Sequence, residues 1–387
     1  MNKIGIGVIG ASPLRPGWAV NSHLPAIAAL SRYELRAVAT SSEDSARAAA
    51  EAYGVPAFSD PSALIERPDI DLVVVTVKLP YHRELVTAAL AAGKMVMCEW
   101  PLGMTLAETQ ALQQQAQAAG LNTLIGLQAR MAPAIRYARD LVAQGYVGEV
   151  LATTMVGSGI GWGPVTDREH AYIYDAANGA TTLSVPTMHA LDAVTFVLGD
   201  LADVRALAEV RRPTVTLSDT SGTVSVSAPD HIAISARLAS GAVASVFYRG
   251  GVSRGDNFRW EINGSQGDLV LTSPVGNLQV INPTLSGAQG DGAVQVLTVP
   301  SEYDLAPQAP EGPAANVARL YAAFARDLAR GTPGALAPDF AHAARLHGLL
   351  QAIDVAAHSG RAQMFPGDTR YRAGLSQPNI EITKRKL

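Results

Sequence analysis

Residues 3–10 read KIGIGVIG, a continuous apolar run rich in β-branched side chains and closed by glycine. A strand apolar on both faces belongs to a parallel sheet, which helices cover from either side. The segments that follow keep this character. Residues 19–31 carry apolar side chains at helical spacing, 34–40 (ELRAVAT) read as a second strand, and 43–53 as an Ala/Glu-rich helix closed by Gly54. Asp69-Ile70-Asp71 leads into LVVVTV (72–77), the plainest buried strand of the chain. A helix over 81–92 stopping at Gly93, a strand MVMC (95–98), a helix over 105–119 with a Thr105/Glu108 capping-box pattern, and a strand over 121–127 complete the series. Strands alternating with helices predict right-handed βαβ units. Residues 1–127 therefore read as a doubly wound, parallel α/β domain.

The rhythm changes afterwards. A helix over 134–144 is followed, between 148 and 300, by alternating or β-branched segments: VLATTMV, ADVRALAEV, HIAISARL, AVASVFY, FRWEING, DLVLTS, LQVIN and VQVLTV. Turn pairs such as Ser240-Gly241, Asn263-Gly264 and Gln266-Gly267 separate several of them. Residues 187–198 have helical periodicity, two helices near 315–329 and 339–358 close the fold, and 361–387 read as an irregular tail ending in Lys-Arg-Lys. Residues 128–387 thus read as an α+β domain built on a large, mostly antiparallel open sheet.

Composition narrows the function. Among 387 residues, 30 Lys and Arg against 34 Asp and Glu leave a net charge of −4, with no basic footprint for nucleic acid. The single cysteine, Cys98, leaves no intrachain disulfide and no Cys-based zinc site, and no His/acid group has ligand spacing, so no metal is expected. No apolar stretch of about 18 residues predicts a membrane span. The N-terminal run is too short for a secretory signal, and a cytoplasmic protein is expected.

The first strand ends in Gly10-Ala11-Ser12-Pro13-Leu14-Arg15-Pro16-Gly17-Trp18. Such a turn needs glycine so that the backbone can approach a pyrophosphate, which then lies on the next helix N-terminus. Here Ser12 stands where a second glycine is expected, and Gly10, Ser12, Gly17 and Trp18 are candidate cofactor contacts. The second strand ends in Thr40-Ser41-Ser42, without the acid that binds ribose hydroxyls in NAD enzymes. Hydroxyls at Thr40 and Ser41, with Arg47 nearby, suit a 2′-phosphate, so the expected cofactor is NADP in preference to NAD. The alternative is that Glu43 or Asp44 serves the ribose.

Several motifs resemble the Gfo/Idh/MocA oxidoreductases over residues 3–360. Val77-Lys78-Leu79-Pro80-Tyr81-His82 stands where that family has a TPNxxH-like turn, and Glu99-Trp100-Pro101-Leu102 where it has Glu-Lys-Pro. Gly179 to His189, with Asp192, matches a glycine pair followed by DxGxHxxD, and Phe258–Leu271 a strand–GxxG–strand hairpin. The resemblance implies a Rossmann domain followed by an open antiparallel sheet, and places Val77, Lys78, His82, Glu99 and Trp100 beside the cofactor. Two departures stand out: the family lysine at the substrate hydroxyl is Trp100, and the Asp four residues before the histidine is Val185. The VKxPxH turn, the Glu-Trp pair and the long first loop are most similar to the subgroup that includes the yeast galactose-pathway repressor and bacterial oxidoreductase relatives.

Oxidising a hydroxyl needs a base. His189 is the best candidate, and Asp192, one helical turn on, is expected to orient it. Lys78 emerges at the carboxyl edge of the sheet, where ligands bind; it is the candidate replacement for the family lysine, with a Lys78–Glu99 pair as a companion expectation. Trp100 is either a sugar-stacking platform or a packing residue between domains. His82 is expected to brace its turn, and Arg130 to bind substrate or form an interdomain salt bridge. Gln128, Tyr172, Tyr174 and Trp162, the last in a glycine-rich loop expected to fold over substrate, complete the candidate pocket. The expected function is hydride transfer between NADP or NAD and a hydroxyl of a sugar, sugar derivative or polyol. The alternatives are a non-catalytic dinucleotide-binding transcriptional regulator and a redox-neutral lyase, epimerase or glycosidase using NAD transiently. A homodimer, or a dimer of dimers, through the open sheet is implied by the resemblance.

Overall fold

The structure, a computed structural model, describes residues 3–365. Of the expected tail, 366–387 lie outside these residues.

Six strands form one parallel sheet: β1 (Ile4–Ile9), β2 (Tyr33–Ala39), β3 (Ala57–Phe58), β4 (Leu72–Val75), β5 (Met95–Glu99) and β6 (Thr123–Gly126). Their order is β3-β2-β1-β4-β5-β6, so the winding reverses between β1 and β4 and opens a crevice at the carboxyl edge. The first loop enters a π-helical turn, Ala19–His23, that runs straight into α1 (Leu24–Ala29). Helices α2 (Glu43–Tyr53), α3 (Pro61–Ile65), α4 (His82–Ala91) and α5 (Leu106–Ala118) follow. β3 and α3 went unanticipated because two and five residues are too few to show a period. Thr105 caps α5 by accepting from the Glu108 amide, but the Glu108 carboxylate turns to the Met104 amide, so the expected box is only half formed. Ser42 and Ser45 make the complete reciprocal box, at the start of α2.

After α6 (Pro133–Ala143) the chain builds a nine-stranded sheet. Its strands are β7 (Val150–Gly159), β9 (Leu201–Glu209), β12 (His231–Leu238), β13 (Val243–Gly250), β14 (Phe258–Gly264), β15 (Gly267–Ser273), β16 (Thr284–Gln289), β17 (Gln295–Val296) and β18 (Gln363–Met364). Only β7 and β13 pair in parallel. A satellite sheet joins β8 (Val165–Thr166), β10 (Thr214–Leu217) and β11 (Thr223–Ser225). LQVIN is not a strand: Leu278–Val280 is a 3-10 turn held by local bonds from Leu278 to Gly276 and Val280 to Asn277. Pro283 has no N–H for a ladder, and the strand starts just after it. VQVLTV pairs only at Gln295–Val296.

Three more helices, α7 (Met188–Leu198), α8 (Pro313–Arg330) and α9 (Phe340–Ser359), join the two sheets. α8 returns to the first sheet, where Val317, Leu320, Tyr321 and Phe324 pack with Ile4, Ile6 and Val8. α4 and α5 cover the other face through Val86, Leu90 and Leu112. Each such fully buried side chain contributes about 1.5–3 kcal/mol. α9 packs against α5, and there His347 Nδ1 lies 2.9 Å from the Thr109 hydroxyl.

Two expected outcomes follow from this packing. Tyr248 lies across β7 at its register partner Gly157: a Cβ there would stand 2.1 Å from the ring. Gly157→Ala lowers stability by about 1–3 kcal/mol, read as a lower urea midpoint with an unchanged slope. Burial pushes the His347 imidazole down to about 4, the Glu108 charge opposing. The unfolded chain then takes up a proton that the folded one refuses, so stability falls as pH drops from about 6.5 towards 4. His347→Gln flattens that slope in urea titrations at stepped pH.

Candidate active site

The crevice edge is built from four strand ends. Gly10 follows β1 with φ +107°, and a Cβ there would lie 2.9 Å from the Thr76 carbonyl; only glycine sits so close to the neighbouring strand. Thr76 ties the two strand ends by donating to the Ile9 carbonyl at 2.7 Å. Ser12 and Gly17 are half-buried in the long first loop. The Trp18 Nε1 and the Ser22 hydroxyl are enclosed without partners. A cradle closed to any Cβ and unpartnered donors beside it fit a dinucleotide at this turn.

At the end of β2 the hydroxyls behave differently from expectation. Thr40 is buried, and its hydroxyl accepts from Ser45 at 2.8 Å, so it supports the α2 cap. Ser41 remains exposed, and Arg47 pairs with Asp44 at 3.1 Å.

His82, at the start of α4, braces two turns. Its Nε2 lies 2.9 Å from the Val77 carbonyl and its Nδ1 2.9 Å from the Pro101 carbonyl. Burial lowers its proton affinity, these carbonyls and the Glu99 charge opposing. It thereby joins the Val77–Lys78 turn to the Glu99–Pro101 turn, which follow the neighbouring strands β4 and β5.

Lys78 and Glu99 do not pair. The Lys78 ammonium stands 4.3 Å from the centre of the Tyr172 ring, a cation–π contact from the Rossmann edge to the second half of the chain. Glu99 instead meets His23 Nε2 at 2.9 Å, and His23 Nδ1 lies 2.8 Å from the Tyr321 hydroxyl. Sequence reasoning missed His23; the only signal was a histidine inside an apolar helical run, a pattern that more often marks a satisfied core residue. Trp100 takes the packing alternative. It is 5% exposed, its indole donates to the Ser184 carbonyl at 2.7 Å, and its ring meets His347 edge-on.

On α7, His189 is 2% exposed and its Nδ1 is enclosed without a partner. Burial pushes its proton affinity down to about 4, against the raising charges of Glu99 and Asp192. Asp192 does not bond to His189. Its carboxylate accepts from Arg130 Nε at 2.7 Å and Nη2 at 2.5 Å, and from His342 Nε2 at 2.6 Å. Burial alone would raise Asp192, but Arg130 and His342 outweigh it and hold the carboxyl below the usual range. One helical turn shares a broad face, yet these two side chains lean to different neighbours. Arg130, stacked on Phe196 at 4.8 Å, makes its salt bridge with Asp192 inside the second half of the chain, so the expected bridge between the two halves is not the one it forms.

Gln128, just past β6, is 1% exposed with both amide atoms unpartnered. The Tyr174 hydroxyl faces the carbonyls of Gly161 and Gly163 at 3.0 and 2.9 Å. Trp162 is 8% exposed and packs with Ile173, Tyr174 and Val215. The expected covering loop is therefore pinned to the satellite sheet. The structure brings Lys78, Glu99, His82, Gly10 and Trp18 to one edge and faces them with Tyr172 and His189. Asp192, Trp100, Tyr174 and Trp162 are engaged in packing.

The profile of the oxidoreductase family, NAD-binding Rossmann fold, matches residues 4–127, and that of the Gal80p C-terminal domain matches residues 133–273. Dehydrogenase aclE of Aspergillus oryzae is 32% identical over 66% of this chain and 72% of its own length. The galactose/lactose metabolism regulatory protein GAL80 of Saccharomyces cerevisiae is 26% identical over 73% of this chain and 69% of its own. A solved levoglucosan dehydrogenase in complex with NADH and L-sorbose superposes with a TM-score of 0.80 at 21% identity, over 95% of this chain and all of that one, a likeness of fold. A Rossmann crevice with its glycine cradle, the mixed second sheet and these two profiles in tandem together make this chain a member of the Gfo/Idh/MocA oxidoreductase family.

Proposed function

We propose that the chain is an NAD(P)-dependent oxidoreductase acting on a hydroxyl of a sugar, sugar derivative or polyol. The observation that carries this is His189, a buried imidazole whose Nδ1 has no partner, set beside the crevice edge. A nicotinamide dinucleotide, when bound, supplies the hydride acceptor. Gly10 and the Trp18 turn would hold it, with the exposed Ser41 hydroxyl beside the ribose and free for the 2′-phosphate of NADP. His189 is uncharged at neutral pH and so has a lone pair for the substrate proton. Lys78 places a cation over the Tyr172 ring, where it donates to substrate oxygens. The kinship to dehydrogenase aclE and the fold shared with a levoglucosan dehydrogenase support this reading.

The test is reduced-nicotinamide absorbance with NAD⁺ or NADP⁺ and a panel of free sugars, glycosides and polyols. Turnover is expected, with kcat/KM lowered by about 10²–10⁴-fold in His189→Ala and clearly lowered in Lys78→Ala. Wild-type rates in both variants overturn the assignment of residues. A second reading, a non-catalytic regulator, is favoured by Trp100, whose indole is engaged and offers the crevice no proton donor. Saturable cofactor binding without turnover on any hydroxyl, with a co-purifying protein, selects it.

The outward face of the nine-stranded sheet is our proposed homodimer surface. Leu207 and Val243 stand on it, 57% and 61% exposed. Light scattering is expected to give a dimer mass, or a multiple of it, that Leu207→Glu with Val243→Glu reduces to a monomer. A monomer before substitution removes the proposal.

A further inference from the structure

Glu99 ends β5 at the carboxyl edge of the parallel sheet, one strand out from the crevice, and two independent features hold its carboxylate. The first is a buried hydrogen-bonded chain. Glu99 Oε1 lies 2.9 Å from His23 Nε2, His23 Nδ1 lies 2.8 Å from the Tyr321 hydroxyl, and the Tyr33 hydroxyl donates to the Tyr321 carbonyl at 2.8 Å. A carboxylate only accepts, so Nε2 carries the hydrogen; Nδ1 then accepts from the Tyr321 O–H. This one tautomer satisfies every group in the chain. The second is Gly126, over which the carboxylate lies flat: a Cβ there would stand 2.6–2.8 Å from the carboxylate atoms.

Among the described residues His23 is the one side chain bonded to Glu99, through Oε1, and the Glu99 side chain keeps 15% exposure. Trp100, the next residue, donates to the Ser184 carbonyl at 2.7 Å and so ties the end of β5 to the turn that leads into α7 and His189; the Glu99 charge bears on four buried groups there: His82, Cys98, His189 and Tyr321. Asp192, the other carboxylate near His189, is engaged by Arg130 and His342. A buried imidazole needs a fixed negative charge nearby to become a competent base at neutral pH.

We propose that Tyr321–His23–Glu99 is a built relay that fixes Glu99 as the carboxylate partner of His189, a task the sequence suggested for Asp192. His23 is the positioning residue, and the unbonded Glu99 oxygen takes a polar hydrogen of the bound ligand. In the oxidation read above, the substrate O–H breaks and its proton passes to His189. The C–H pair leaves as hydride to the nicotinamide, and Glu99 steadies the imidazolium. This chemistry rests on the proposed oxidoreductase reading; the hydrogen-bonded chain does not.

The experiment has two arms. In the ligand-free protein, 15N shifts of the His23 ring are expected to show Nε2 protonated and Nδ1 accepting, the accepting signature weakening in Tyr321→Phe. A ring protonated at Nδ1 with Nε2 bare overturns the relay, whatever the protein catalyses. In turnover, Glu99→Gln is expected to lower kcat on the order of 10²-fold with little change in KM, and to move the acid limb of the pH profile to lower pH. His23→Gln, whose amide still donates, recovers most of what His23→Ala loses. Asp192→Asn is expected to move the limb less than Glu99→Gln. An unmoved limb in Glu99→Gln, or a larger shift in Asp192→Asn, overturns the role of Glu99. No turnover in the unsubstituted protein overturns the oxidoreductase reading, and the role of Glu99 with it, while the tautomer still decides the chain. Thermal melts separate misfolding from loss of the relay, and His23→Gln keeps the test open if His23→Ala fails to fold.

Discussion

A parallel sheet must be covered on both faces, and the rest of this structure depends on how the chain meets that demand. The first 127 residues supply helices for both sides, but α8, arriving some two hundred residues later, completes one of them. Tyr321 is in the middle of that contact, stacked near Tyr33 and His23. The helix that buries the first strand thus also delivers a hydroxyl to the ring that holds Glu99. Packing and site geometry here are the same contact seen from two sides.

The polar interior is organised by pairing. Asp192, Arg130 and His342 form a closed cluster between α7, the turn after β6 and α9. Arg345 donates to His342 Nδ1 at 3.0 Å, so Nε2 carries the hydrogen that goes to Asp192. A buried ion pair of this kind is costly to break, about 3–5 kcal/mol when one partner is removed. It fastens the helix carrying His189 to the turn after β6 and to α9. By contrast His189, Gln128, Trp18 and Ser22 keep enclosed polar atoms without partners. Tyr53, Arg136, Ser158, Trp162, Arg249 and Gln279 keep such atoms too, so an unpartnered group points to the ligand only where, as at His189 and Trp18, it also stands by the crevice.

Much of the fold was legible. Strands buried on both faces, such as 72–75, and helices ended by glycine, such as α2, declare themselves through local period and turn chemistry. The FRWEING–DLVLTS hairpin formed as expected around Gly264 to Gly267. Short or interrupted segments were not legible. LQVIN had the composition of a strand, but the proline after it and local turn bonds took it elsewhere. The satellite sheet, made of two- to four-residue strands, left no periodic trace.

The site divides along the same line. Which chemical groups reach the carboxyl edge can be read along the chain, because strand ends and the turns after them are local features: Glu99 ends a buried strand, and Gly10, Lys78 and Gln128 come just after one. Which of them meet depends on how the distant parts of the chain pack. Lys78 and Glu99, one strand apart, look like an ion pair, yet Lys78 turns to Tyr172 and Glu99 to His23. His189 and Asp192, one turn apart, look like a dyad, yet Asp192 goes to Arg130. Side chains choose partners by distance and desolvation in three dimensions, and those partners come from residues 23, 130, 172 and 321, which no local spacing connects.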